Sequence, residues 1–388
     1  MLVNQIKDIV NDAVNQALGK KGVTNLETTD FVSMGKLLSQ YDAYEDFYGA
    51  LANRIVKTVY FLRTYEGDTR KILRDEHEYG AFIQKVYFGP LDAVDDTAYS
   101  VSSGTNPRTY SQTSPYDVDT VVPVTALIYG GQGAWAIEII RPLVQIKSAF
   151  LDESSMAAFI DGIFVYVENK FKHEEEVVVN TAVSTAIASA INGSKARNLL
   201  AEYNTAHPGA TLTVATAMTS PEFLKFASKE INDTIGYMKK MSTLWNVAGY
   251  ETFTDENNLV VEMLQSFASA SSMYLQADTF HDELVKLPLY DEVAYWQSSG
   301  TSFAFADCSK IHITNEGLVT EDNVNGTVEQ GGIICFIHDI ENVAAYFGER
   351  RSWDMVNQKD DIAIHGEKAR KGFAVDTHAN GYVFYIAQ

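Results

Sequence analysis

The stretch Ala136–Phe171, AIEIIRPLVQIKSAFLDESSMAAFIDGIFVYVENKF, changes its hydrophobic period midway. Residues Ala134 to Ile140 read as a strand. Asp152, Ser154 and Ser155 then offer a helix N-cap. Beyond them Met156, Ile160, Ile163, Phe164, Val167 and Phe171 recur at helical spacing. Lys170, Lys172 and the acids Glu174 to Glu176 supply the opposite face. Asn192-Gly193 is the stop signal. The pattern predicts one helix over residues 153 to 191, roughly 50 to 60 Å long at 1.5 Å per residue.

Upstream, Leu2, Ile6, Ile9, Val10, Ala13, Val14, Ala17 and Leu18 form another helical stripe, ended by Gly19. Lys20 to Thr29 reads as a linker. A second helical stretch runs from about Asp30 to Tyr65, with a break near Gly35 or Tyr41. Such a front end need not form a domain alone and is expected to serve as an arm that packs on neighbours. Tyr79 to Phe88 is strand-like, and so is Val121 to Tyr129. Between them lies a polar stretch, Asp92 to Asp119, rich in Ser, Thr, Asn and Asp. A loop of this length is usually functional or docked on something else. Gly130-Gly131-Gln132-Gly133 is read as a hairpin turn, since it lacks the Gly-Lys-Ser/Thr ending of a phosphate loop.

Downstream, short strands and helices alternate. Strands are expected at Thr211–Ala217, Asn258–Met263, Glu292–Trp296, Lys310–Thr314 and Gly332–His338. Helices are expected from Ser220-Pro221 to about Met241, from after Met263 to about Lys286, and over Glu341–Phe347. The chain should close with strands at Asp361–His365 and Phe373–Thr377, then a hairpin turn at Asn380-Gly381 into Tyr382–Ala387. The class is α+β with mixed sheets.

Composition narrows the function. The formal net charge is -21, which repels polyanions, and the basic residues between Arg350 and Lys371 are interleaved with Asp354, Asp360, Asp361 and Glu367. A sequence-specific nucleic-acid reader is therefore not expected. Cys308 and Cys335 do not make a disulfide framework. No apolar run reaches the length of a membrane span. The eight histidines make no HExxH pair, and no GxSxG elbow or EF-hand spacing occurs. His338-Asp339 is read as a hydrogen-bonded histidine rather than a catalytic pair. The acid clusters Asp95-Asp96, Glu174–Glu176 and Asp360-Asp361 are read as solvated charge. No catalytic, cofactor-binding or metal site is expected.

The order of elements is a helical arm, a polar β excursion, a long helix, a mixed region and closing strands. It resembles the major capsid proteins of tailed phages, the Hong Kong 97-type fold, and is most similar to the head proteins of small podoviruses. Ala136–Phe171 resembles the end of the extended loop running into the spine helix. NNLVVEML with QSFASASSMYLQADTF resembles a strand and helix of the axial domain. GGIICFIHDIENVAAYF and KGFAVDTHANGYVFYIA resemble the closing strands.

The resemblance implies an N-terminal arm over 1–65 and an extended loop with flanking strands over 66–150. It implies a peripheral domain with the spine helix over 151–208, an axial domain over 209–329 and peripheral return strands over 330–388. It also implies self-assembly into hexamers and pentamers and a genome packed without sequence-specific binding. Scaffolding and portal proteins would be partners, and assembly in the host bacterial cytoplasm would place the product in the virion capsid. With no room for a cleaved scaffolding segment ahead of the arm, the scaffold would be a separate protein. Asn106, Arg108, Tyr110 and Tyr116 stand in an otherwise small and polar stretch and are the expected intersubunit contacts. A nanocompartment shell of the encapsulin type, a tail tube or surface-layer subunit, and an enzyme with a dispersed site are the alternative readings.

Overall fold

The computed structural model describes residues 3–20, 31–44, 46–47, 50, 72–75, 83–88, 124–129, 132–142, 153–209, 211–278, 288–297, 304–314, 327–348 and 350–388. In chain order its first elements are α1 (Val3–Lys20), α2 (Phe31–Gln40), β1 (Leu73–Asp75), β2 (Ile83–Phe88), β3 (Val124–Tyr129) and β4 (Gln132–Pro142). The long helix α3 (Glu153–Asn192) follows, then β5 (Ala196–Asn198), α4 (Leu199–Ala206), α5 (Val214–Ala217), α6 (Pro221–Met238), β6 (Leu259–Leu264) and α7 (Gln265–Asp278). The chain continues through β7 (Asp291–Val293), α8 (Phe305–Cys308), β8 (Ile311–Ile313), β9 (Val328–Gln330) and β10 (Ile333–Asp339). It ends in β11 (Val343–Phe347), β12 (Arg351–Asn357), β13 (Ile362–Val375) and β14 (Gly381–Tyr385).

The chain divides into two units, each drawn from three separate segments. The first comprises Met1–Glu78, Gln132–Ser184 and Val343–Val375. Its front helices bury apolar residues against one another. Val10, Ala13, Val14, Ala17 and Leu18 are fully buried, α1 packs on α2, and Lys20 pairs with Asp46 at 3.0 Å. The break predicted near Tyr41 falls at the end of α2, while Gly35 lies within it. The sheet of this unit is organised by β13. Along one side β13 takes β12 and then β11, both antiparallel, and β1 extends the sheet beyond β11. Along the other side it takes β4 from Ile362↔Pro142 to Gly372↔Gln132.

Gly366 lies opposite Trp353, and a side chain there would collide with the indole ring. The glycine makes room for the ring within the strand. Arg350 and Glu367, only 6% and 2% exposed, pair at 2.9 Å. The guanidinium sits 3.8 Å above the ring of Phe171 on α3, and His365 Nε2 lies 3.7 Å from Glu367. A buried pair of this kind is stable only while both partners are present.

The second unit comprises Tyr79–Gly131, Thr185–Asn342 and Asp376–Gln388. Its five-stranded sheet has the order β5-β14-β10-β6-β7. The central strand β10, IICFIHD, is buried except at its last residue, as its unbroken apolar run demands. Cys335 and Ile337 of β10, Met263 of β6 and Phe384 of β14 pack with Leu224 and Ile231 of α6 and Phe267 of α7. Between the parallel strands β6 and β7 the chain crosses through α7. Ser220 caps α6, with Pro221 in its first turn, as expected.

Several readings are corrected. Glu341–Phe347 was expected to be helical, but Val343–Phe347 is strand β11, fixed between β1 and β13. VAAYF suits either state, and sheet pairing decides. Thr211–Ala217 is no strand. Thr213 and Thr216 form a capping box that turns Val214–Ala217 into one helical turn. The two strands expected between Asp361 and Thr377 are one continuous strand. Neither supposed hairpin turn joins paired strands: β3 pairs with β2 while β4 pairs with β13, and β14 pairs with β10 and β5.

The buried His338 gives a pH prediction. Its Nδ1–H donates to the carbonyl of Asp339 at 2.8 Å, and its ring stacks on Phe336. Burial holds the imidazole at a pKa of about 4, well below its ordinary value. The unfolded chain therefore binds the extra proton first. Stability should fall as pH drops from about 6.5 towards 4, by up to about 3 kcal/mol in total, and flatten below that. Urea midpoints measured across this window should lose that slope in His338→Phe. An unchanged slope in the variant would show that other groups carry it.

Candidate functional site

Strands β2 and β3 form a two-stranded ribbon, in register from Ile83↔Tyr129 to Phe88↔Val124. Among the described residues no third strand joins it. Strand alternation sends Lys85 and Tyr87 to one face and Val86 and Phe88 to the other. Lys85 Nζ donates to Asp376 Oδ2 at 2.9 Å and to the carbonyl of Glu341 at 3.1 Å, and it pairs with the Glu341 carboxylate at 2.8 Å. The Tyr87 hydroxyl also donates to Asp376. Its ring stacks on His378 at 4.6 Å and meets Tyr250 edge-on at 5.6 Å. The Tyr250 hydroxyl donates to the carbonyl of Phe88. Val86 and Phe88 are exposed.

The acceptor side is held in place. Asp376 is buried, its N–H donates to the Asn342 carbonyl at 2.7 Å, and its other carboxylate oxygen accepts from the His378 N–H at 3.0 Å. Asn342 Nδ2 donates to the carbonyls of Asp376 and Ala379, both at 3.0 Å. Behind it Asn380 Nδ2 donates to Thr254 Oγ1, which donates to Asp339 Oδ2 at 2.9 Å. Burial raises the Asp339 carboxyl, and hydrogen bonds from Glu341 N–H and Thr254 partly offset the rise. This arrangement ties the ribbon to a body through Lys85 and Tyr87.

The described residues contain no group of three or more His, Cys, Asp or Glu side chains arranged to hold a metal ion. Burial and the neighbouring Glu262 push the Cys335 thiol up, away from the reactive thiolate. Neither cysteine is in a disulfide, and both are buried. No helix among the described residues is long and apolar enough to cross a membrane. Asn106, Arg108, Tyr110 and Tyr116, the expected contact residues, lie outside the described residues. In sequence they stand between β2 and β3. The reading of the sequence missed Asp376 and His378. Their signal was faint: DTHAN is a polar run between two strands, and only the fold brings it to Lys85.

Comparison with known proteins follows this architecture. No curated protein matches the sequence. Among solved structures, the chain is similar to the capsid structure of Staphylococcus phage Andhra, at 12% identity and a TM-score of 0.51, over 83% of this chain and 85% of that one. It is also similar to a chain in the structure of head fiber and inner core protein gp22 of native bacteriophage P68. There the identity is 11% and the TM-score 0.50, over 81% and 83% of the two chains. At such identities the likeness concerns the fold, which is the capsid fold expected from the order of elements. The model of the Phi29-like phage major capsid protein family matches residues 6–385, nearly the whole chain, and the protein therefore belongs to that family of structural, shell-forming capsid proteins.

Proposed function

We propose that this capsid protein builds an icosahedral head from hexamers and pentamers, and that the β2–β3 ribbon reaches from each subunit to the next. The observation that carries the reading is the rooted ribbon with its exposed Val86 and Phe88. A two-stranded ribbon alone is marginally stable in water and gains from a surface to lie on. Asn106, Arg108, Tyr110 and Tyr116 belong to the chain between its strands, and Arg108 pairs with an acidic patch of the adjacent subunit. The partners in assembly are a scaffolding protein and a portal protein, in the host cytoplasm. The net charge of -21 suits a container whose packed DNA must not adhere to it. Negative-stain microscopy of the purified protein should show closed shells; tubes or monomers alone would overturn this reading. Arg108→Glu should slow assembly or lower the melting temperature of finished particles. Unchanged particle stability and assembly would remove that contact.

The shells should be non-covalent. From Val86 to Ile146 the sequence has no lysine to serve as an amine nucleophile, and arginine stays protonated. Lys85 is engaged by Asp376 and Glu341 at the ribbon's root, and Lys147 lies outside the described residues. Boiling finished particles in detergent should release one band near the 43.0 kDa monomer mass. A ladder that survives reducing agent would show covalent linkage.

A further inference from the structure

We draw no further inference here: the strongest candidate, the apolar row of Met355, Ile364 and Ile140 across β12, β13 and β4 in the sheet of the first unit, carries nothing, since nothing in the structure shows what covers it.

Discussion

Arg350→Met is expected to lower the unfolding free energy of the subunit by about 3 to 5 kcal/mol. The cost does not come from losing an attraction alone. Glu367 is buried, and without the guanidinium its charge stays out of water, with His365 Nε2 3.7 Å away. Methionine keeps much of the contact with Phe171, so packing loss is the smaller part. The double variant Arg350→Met/Glu367→Met should recover most of the stability, because a buried pair replaced by apolar groups of similar size is often neutral. Urea unfolding of the four proteins, wild type included, closes the cycle. A single-variant cost under about 1 kcal/mol would class the pair with exposed ones. Equal losses in single and double variants would mean that shape, not charge, matters there.

Gly332→Ala should be harsher still. Gly332 precedes β10 with φ +75°, where an L side chain is strained. A Cβ there would overlap the carbonyl of Ile386, and the Ile386 N–H donates to the Gly332 carbonyl at 2.8 Å. The clash is with backbone, so no rotamer change relieves it. Either the last strand withdraws from β10 or the turn into β10 opens, and both disrupt the largely buried β10–β14 pairing. The expected result is insoluble protein, or a loss above about 4 kcal/mol, at the far end of single-substitution effects. Gly331, with open space around it, is the control: Gly331→Ala should fold normally. A soluble Gly332→Ala subunit with a normal melting curve would contradict this account.

The sequence made the long elements readable and their partners unreadable. The helix over 153–192 stood out because its stripe, cap and stop agree across 40 residues. Ser220-Pro221 announced α6, and the apolar run IICFIHD announced β10. β11 was misread because VAAYF carries no period long enough to decide. The turn at Asn380-Gly381 looked like a hairpin because local chemistry fits one, yet β14 finds its neighbours in β10 and β5. Asn380 is buried there, donating to Thr254. The ribbon's root was hidden: the strand over Tyr79–Phe88 could be read, but nothing local links Lys85 and Tyr87 to Asp376, 291 residues away from Lys85. Long-range pairing is a property of the whole fold, and short windows do not contain it.

The position of β13 bears on how the protein is made. Its partner β4 leaves the ribosome long before it, since Pro142 pairs with Ile362 and Gln132 with Gly372. At about 5 to 20 residues per second, β4 waits on the order of 10 to 50 s for its neighbour. β14, which borders the buried strand of the other unit, is made later still. Both sheets thus stay unfinished until β13 and β14 have been made. A chain stopped before β13 has neither sheet complete and lacks the native surfaces that those sheets build. The order of synthesis is therefore expected to keep such fragments out of the growing lattice.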